Sequence, residues 1–214
     1  MSREEIQRIA VEKKIPFLVH FTRSENVKSI MEHGLLPVAK ARENGLAPVI
    51  NDEERLDGRL NGTSLSLSFP NGNLFYKFRN KDEQVQWVIL AVATSVLWSK
   101  SVLFCKHNAA DKRISSVQSH DLSTPDAFLS MFEEIEGCEP RADQGIRPFD
   151  PTDVQAEVLA MESIEPEFIV GALVNSVEQQ GLIQPILGRR KIIVHHGRKG
   201  FFANRSYYRK FGGG

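Results

Sequence analysis

From Thr63 to Phe69 the chain alternates strictly, Leu65, Leu67 and Phe69 interleaving with Ser64, Ser66 and Ser68. A period of two over that length predicts a strand. Trp87 to Ala93 is apolar throughout and predicts a central strand buried on both faces. Ile15 to Val19 predicts another strand, delivering His20 at its end, and 156–161, 168–174 and 192–194 predict three more. Helical periods are shorter. Ser2 and Glu5 form a capping box ahead of Ile6, Ile9 and Ala10. Thr22 and Glu25 form a second one ahead of Val27, Ile30 and Met31, with Gly34 at the C′ position. Thr124 and Pro125 fit an N-cap and first helical position before Phe128, Met131, Phe132 and Ile135, and a short helix starts near Ser176. The stretch 37–59 is rich in Asn, Asp, Glu and Gly, shows no sustained period and predicts a long loop. Strands outnumber helices and are not regularly separated by them. That favours a mixed α+β fold over a doubly wound parallel sheet.

Composition changes this picture little. The 214 residues suit one compact domain, and 41% hydrophobic with 25% charged residues is ordinary for a globular chain. Lys plus Arg equals Asp plus Glu at 27 each, so net charge points to no polyanionic partner. The distribution is more informative. From Arg189 onward there are eight basic residues and no acidic one, interleaved with Phe201, Phe202, Tyr207 and Tyr208. Basic and aromatic residues in alternation suit single-stranded nucleic acid, with Arg205 and Tyr207 as candidate contacts. A solvated basic tail has the same composition, and the residues alone do not choose between the two. Cys105 and Cys138 fit no metal or redox spacing, and Cys105 sits in the apolar run 102–104 of a buried thiol. No signal peptide, membrane span, nucleotide-binding glycine motif or metal-spaced His/Cys cluster is present, so the expectation is a cytoplasmic protein without a metal.

Three segments carry candidate chemistry. The first is His20-Phe-Thr22 with Asn26, Ile30 and Gly34-Leu35 at fixed spacing. The second runs from Asn51 through Arg55-Leu-Asp-Gly58 to the serine strand and on to Phe75-Tyr76-Lys77-Phe78-Arg79. The third is Gln155-Ala-Glu157-Val-Leu159, where a carboxylate stands in an apolar strand. Each has a plain reading: a structural histidine, a solvated charged loop, an edge-strand glutamate facing water.

Together and in this order, they resemble the DarT family of DNA ADP-ribosyltransferase toxins, over a span from His20 to about Leu159. The resemblance implies a single ADP-ribosyltransferase domain over 1–214, with a split, mostly antiparallel sheet and flanking helices. NAD⁺ would lie in a cleft as co-substrate. Glu157 would be the catalytic carboxylate, and Arg55 (or else Arg59) the catalytic or orienting cation. His20 and Thr22 would contact the NAD⁺ ribose with Asn26 nearby, and Ser66 and Ser68 would line the cleft. Tyr76 would stack on a base while Lys77 and Arg79 meet phosphates. The acceptor would be a base in single-stranded DNA, with the Arg-Leu-Asp-Gly form leaning towards guanine over thymine. A macrodomain antitoxin of the DarG type would be its partner in a toxin–antitoxin system, the chain itself being monomeric. Two other enzyme readings share the scaffold, a protein- or RNA-directed transferase and an NAD⁺ glycohydrolase. A silent single-strand-binding module is the non-enzymatic alternative.

Overall fold

The computed structural model describes residues 2–49, 61–197 and 199–212. Seven strands lie in one sheet: β1 (Leu18–Arg23), β2 (Thr63–Leu67), β3 (Trp87–Val92), β4 (Val102–Cys105), β5 (Glu157–Ala160), β6 (Ile169–Val174) and β7 (Lys191–Val194), in the order β4-β5-β2-β1-β3-β6-β7. All neighbours are antiparallel except β6 and β7, which run parallel. The longer helices are α1 (Ser2–Glu12), α2 (Val27–His33), α3 (Val38–Glu43), α4 (Gly72–Lys81), α5 (Pro125–Ser130), α6 (Val177–Leu187) and α7 (Arg205–Phe211). The parallel pair requires a crossover, and α6 provides it.

The apolar pattern explains the layers. Trp87–Val92 is buried at every position, as expected of a strand flanked by β1 and β6 and covered on both faces. On one face Leu18, Leu65, Leu67, Leu90 and Val158 pack with Ile6 and Ile9 of α1 and Phe128 of α5. On the other, Val19, Phe69, Phe75 and Trp87 pack with Phe201 and Phe202 in an aromatic cluster. Thr124 caps α5 as its sequence suggests, its Oγ1 accepting from the Ala127 N–H at 3.1 Å, with Pro125 in the first turn. Thr124→Ala is expected to cost about 1 kcal/mol in urea unfolding.

The sheet is nearly divided. β1 pairs with β3 along all six of its residues, but with β2 only at Leu18–Leu67 and Val19–Ser66. Beyond those two pairs β2 bonds β5 instead, leaving a wedge beside β1.

Several expectations are corrected. β1 starts at Leu18, so His20 is in mid-strand; its full ladder with β3 outweighs the apolar run before it. Thr22 is a strand residue rather than a cap. Arg23 precedes the 3₁₀ turn Ser24–Asn26 without a side-chain cap bond, and Thr22 Oγ1 accepts from Asn26 Nδ2 at 3.1 Å. The predicted loop from Pro37 contains α3, a helix too short to show a period, and residues 50–59 of it lie outside the described residues. Counting single turns, helical segments outnumber strands among the described residues. The basic C-terminal stretch is not a uniformly solvated tail either. Arg205 is 3% exposed, its guanidinium donating to Pro151 O at 2.8 Å, Gln144 Oε1 at 2.9 Å and Thr152 O at 3.2 Å. Burial pushes its pKa down to about 10. It ties α7 to the 144–152 segment and is not a nucleic-acid contact.

Candidate active-site cleft

The wedge between β1 and β2 opens into a cleft of about 510 Å³. His20 stands where the strands part. Its Nδ1 lies 2.9 Å from the Ser64 carbonyl oxygen. A carbonyl only accepts, so Nδ1 carries the hydrogen, and in the neutral ring Nε2 is then the acceptor. The side chain thus replaces a missing ladder bond and lines the cleft at the same time. Asn26 acts like a peptide group towards Val49: its Nδ2 donates to Val49 O at 3.0 Å and its Oδ1 accepts from Val49 N–H at 2.9 Å. It therefore fixes the cleft wall formed by Pro48 and Val49.

Across the cleft stands Glu157, the first residue of β5, paired with Cys105 of β4 and only 5% exposed. Val158 packs into the main core while Leu159 joins a small cluster with Leu103 and Cys105, so alternation turns Glu157 away from the main core. Its carboxylate is held by the loop after β4. Asn108 Nδ2 donates to Oε1 at 3.2 Å, and the Ala109 N–H donates to Oε2 at 3.2 Å. Behind that loop His107, 2% exposed, lies with Nδ1 2.7 Å from Asp153 Oδ2. Asp153 Oδ1 accepts from the Gln155 N–H at 2.8 Å, so the loop after β4 is cross-linked to the segment that leads into Glu157.

Sequence reasoning missed Asn108 and the His107–Asp153 pair. They follow an apolar strand as a polar loop, which carries no periodic signal, and their partners are 46 to 49 residues away.

Of the other expected site residues, Thr22 and Ser66 line the cleft, as does Lys77 on α4. Ser68 does not; it donates to the buried Asp150 Oδ1 at 2.6 Å. Its backbone enters the left-handed region after β2, which breaks the alternation that led to the expectation. Tyr76 is 57% exposed. The Arg79 guanidinium lies over the rings of Phe75 at 4.7 Å and Phe202 at 5.7 Å rather than on the cleft wall. Tyr207 is exposed and its ring meets that of Phe211 at 5.3 Å. Arg55 and Arg59 lie outside the described residues.

The cleft has the character of a ligand site. Its wall combines apolar side chains, among them Ile30, Leu35, Leu36 and Leu46, with polar ones, among them Asn71, Asn73, Asn108 and Glu157. Two of the residues that line it, Thr63 and Asn71, each carry a side-chain atom, Oγ1 and Nδ2, that is buried without a hydrogen-bond partner in the protein. Such orphans are uncommon in native folds and fit groups that a ligand completes. Among the described residues no group of three His, Cys, Asp or Glu side chains could hold a metal ion, and no helix is long and apolar enough to cross a membrane.

The comparisons with known proteins bear on this geometry. The family model described as "ssDNA thymidine ADP-ribosyltransferase, DarT" matches residues 19–202. The fold is similar to that of Thermosipho africanus DarTG in complex with ADP-ribose, with a TM-score of 0.59 and 17% identity over 87% of this chain and 50% of that one. This chain therefore spans half the length of the Thermosipho chain. It is also similar to Thermus sp. 2.9 DarT in complex with ADP-ribosylated ssDNA, with a TM-score of 0.58 and 12% identity over 85% of this chain and 94% of that one. The same Thermus protein in complex with NAD⁺ gives a TM-score of 0.54 at 13% identity, over 85% and 96% of the two chains. No curated protein matches the chain. Identities this low speak for the fold alone, but the family match spans His20, the wedge and Glu157 in one run: the chain belongs to the DarT family of ADP-ribosyltransferases.

Proposed function

We propose that the protein transfers the ADP-ribosyl group of NAD⁺ to a base of single-stranded DNA, with Glu157 as the catalytic carboxylate. The observation that carries this reading is a nearly buried carboxylate on the wall of a ligand-sized cleft, its two oxygens oriented by separate donors. The complexes of the Thermus relative with NAD⁺ and with ADP-ribosylated ssDNA support it.

In the reaction the bond from the ribose C1′ to nicotinamide breaks, a bond from C1′ to the base forms, and the base gives up a proton. Positive charge develops on the sugar as the leaving group departs. A fixed carboxylate in a partly dehydrated cleft stabilises that charge without reorganising. It also accepts the proton from the attacking base, a contribution of roughly 10²–10⁴-fold. His20 and Thr22 hold the nicotinamide ribose from β1, Asn26 shapes the wall beside them, and Ser66 lines the strand opposite. Arg55 is the orienting cation in this reading. Tyr76 and Lys77 meet the DNA strand at the mouth.

For the base itself two indications compete. The Arg-Leu-Asp-Gly segment supports guanine, whereas the matching family model is described for thymidine. Mass spectrometry of nucleosides from oligonucleotides treated with enzyme and NAD⁺ assigns it. An adduct on any DNA nucleoside supports the reading. Label on RNA or protein only, or free ADP-ribose without an acceptor, replaces it with one of the other enzymes of this scaffold. A toxin partnered by a macrodomain antitoxin of the DarG type, acting as a monomer and as one domain over 1–214, completes the proposal.

Asn108 acts here as a positioning residue. Asn108→Ala removes a donor on Glu157, and a hydrogen bond to a charged group contributes about 1.5–3 kcal/mol. Transfer is expected to fall by about ten- to a hundredfold in kcat with little change in KM for NAD⁺. Asn108→Asp, which brings a second carboxylate against the first, is expected to be slower still.

A further inference from the structure

We infer that the N-terminus of α4, with Asn71 and Lys77, is a phosphate-binding subsite inside the cleft. This deepens the reading above and rests on it for the identity of the phosphate.

The site is built from the cap upward. Asn71 is the N-cap of α4, and its Oδ1 accepts from the Leu74 N–H at 3.2 Å. Its backbone carbonyl accepts from the Phe75 N–H at 2.9 Å. The first turn of a helix leaves its leading N–H groups without intrahelical acceptors, and here those of Gly72 and Asn73 are in that position. The same end carries the positive pole of the helix dipole. With ten residues, α4 is long enough for that pole to count.

An independent observation points to a ligand. The Asn71 side chain is only 1% exposed, yet its Nδ2 has no acceptor in the protein. The cap bond fixes Oδ1 towards the helix, so the amide cannot flip to relieve its nitrogen without losing that bond. Asn71 is among the residues that line the cleft, so a ligand there is the partner its amide nitrogen would take. Asn73 and Lys77, four residues apart on one helical face, line the cleft on the same side. A helix N-terminus, a dedicated amide donor and an ammonium group one turn on form a set of donors with no acceptor among them. The ligand chemistry that fits is an anion with several oxygens, a phosphate. Gly72 leaves the approach open: a Cβ built there meets only Val154 Cγ2, at 3.7 Å.

Two sources of phosphate reach this cleft in the proposed reaction, the pyrophosphate of the dinucleotide and the backbone of the DNA. Asn71→Asp separates cap from donor, since aspartate keeps the cap acceptor and replaces the free N–H₂ by a negative oxygen. Lys77→Gln removes the exposed charge without touching the cap. Calorimetric titration of wild type and both variants would use inorganic pyrophosphate, ADP-ribose, adenosine and a short single-stranded oligonucleotide. The subsite predicts that Asn71→Asp weakens pyrophosphate binding at least tenfold and Lys77→Gln severalfold, with adenosine unaffected. A parallel loss for ADP-ribose assigns the dinucleotide. An unchanged ADP-ribose affinity with weaker oligonucleotide binding, and a salt slope shallower by roughly 0.7, assigns one backbone phosphate. If wild type and both variants bind pyrophosphate, ADP-ribose and oligonucleotide alike, or none binds pyrophosphate while wild type still modifies DNA, the subsite is wrong and the transferase reading stands. Asn71-dependent pyrophosphate binding in a protein that forms no DNA adduct would instead retain the subsite and remove that reading.

Discussion

Glu157→Gln is expected to lower ADP-ribose transfer to single-stranded DNA by about a thousandfold, the joint effect of lost charge stabilisation and lost proton acceptance. The amide has the shape of the carboxylate, so the cleft keeps its form. NAD⁺ affinity should stay within a few-fold of wild type, because the charge matters most once the sugar carbon becomes positive. Two opposing effects act on the fold. A carboxylate 5% exposed is held away from water at a cost to folding, and the neutral amide removes that cost. Against that gain, either Asn108 Nδ2 or the Ala109 N–H now faces an N–H₂ group instead of an acceptor, so the variant is expected to melt within a few degrees of wild type. Glu157→Asp keeps the charge but retracts it by one methylene from Asn108 and the Ala109 N–H, and should recover only a small part of the rate. Single-turnover transfer on an oligonucleotide, with a melting curve for each variant, reads both effects. A glutamine variant that is well folded and retains a tenth or more of the wild-type rate would remove Glu157 from the chemistry.

The sequence carried the strands best where burial is symmetric or strictly alternating. Trp87–Val92 and Thr63–Leu67 are read correctly because a strand covered on two faces, or one with a serine side and a leucine side, leaves little else to fit. The Thr124–Pro125 cap was legible for the same local reason. Glu157 was legible as an anomaly, a carboxylate among apolar neighbours, but its meaning came from the family resemblance and its buried placement from the fold. What failed depends on contacts between distant segments. Nothing near Arg205 in sequence announces that Gln144, Pro151 and Thr152 will surround it, so its charge was counted with the surface. Ser68 continues the alternation in sequence, yet its backbone leaves the strand to reach Asp150. The helix α4 opens with Gly72, and its apolar residues Leu74, Phe75 and Phe78 span only one turn, too few to show a helical period.

The largest stability effect is expected at Asp150, whose role no sequence pattern suggested. Its side chain is fully buried and is gripped by Arg209, whose Nε and Nη2 donate to its two oxygens at 2.8 Å each. The Ser68 hydroxyl and the Arg147 N–H complete its shell at 2.6 and 2.8 Å. The bonds join three distant segments: the end of β2, the 147–152 loop that leads into Glu157, and α7. Ser68 has a φ of +56°, a conformation that costs a residue with a side chain about 1–2 kcal/mol, and the bond to Asp150 offsets it. Asp150→Asn leaves the Arg209 guanidinium in a site built for an ion pair, and breaking a buried pair from one side costs about 3–5 kcal/mol. Urea unfolding should show a loss of that order, and transfer activity should fall with it, because the freed segments bear Ser66, Asn71 and Glu157. Adding Arg209→Met to Asp150→Asn should recover part of the loss, since the second change removes the stranded charge; strict additivity would deny that the two residues act as a pair. The pH dependence has a definite sign. Burial alone would raise the Asp150 pKa, but the Arg209 bonds and charge, with Ser68 and Arg147, outweigh it and hold the carboxyl below its ordinary value of 3.8. A depressed folded-state pKa means that the unfolded chain binds the proton first on acidification. The stabilisation is therefore complete well above pH 3.8 and is lost as the pH falls through the folded value, by linkage. Wild type should lose stability steeply below about pH 4, whereas Asp150→Asn should start lower and lose less over the same interval. Identical acid limbs for the two proteins would show that the pair does not govern acid unfolding.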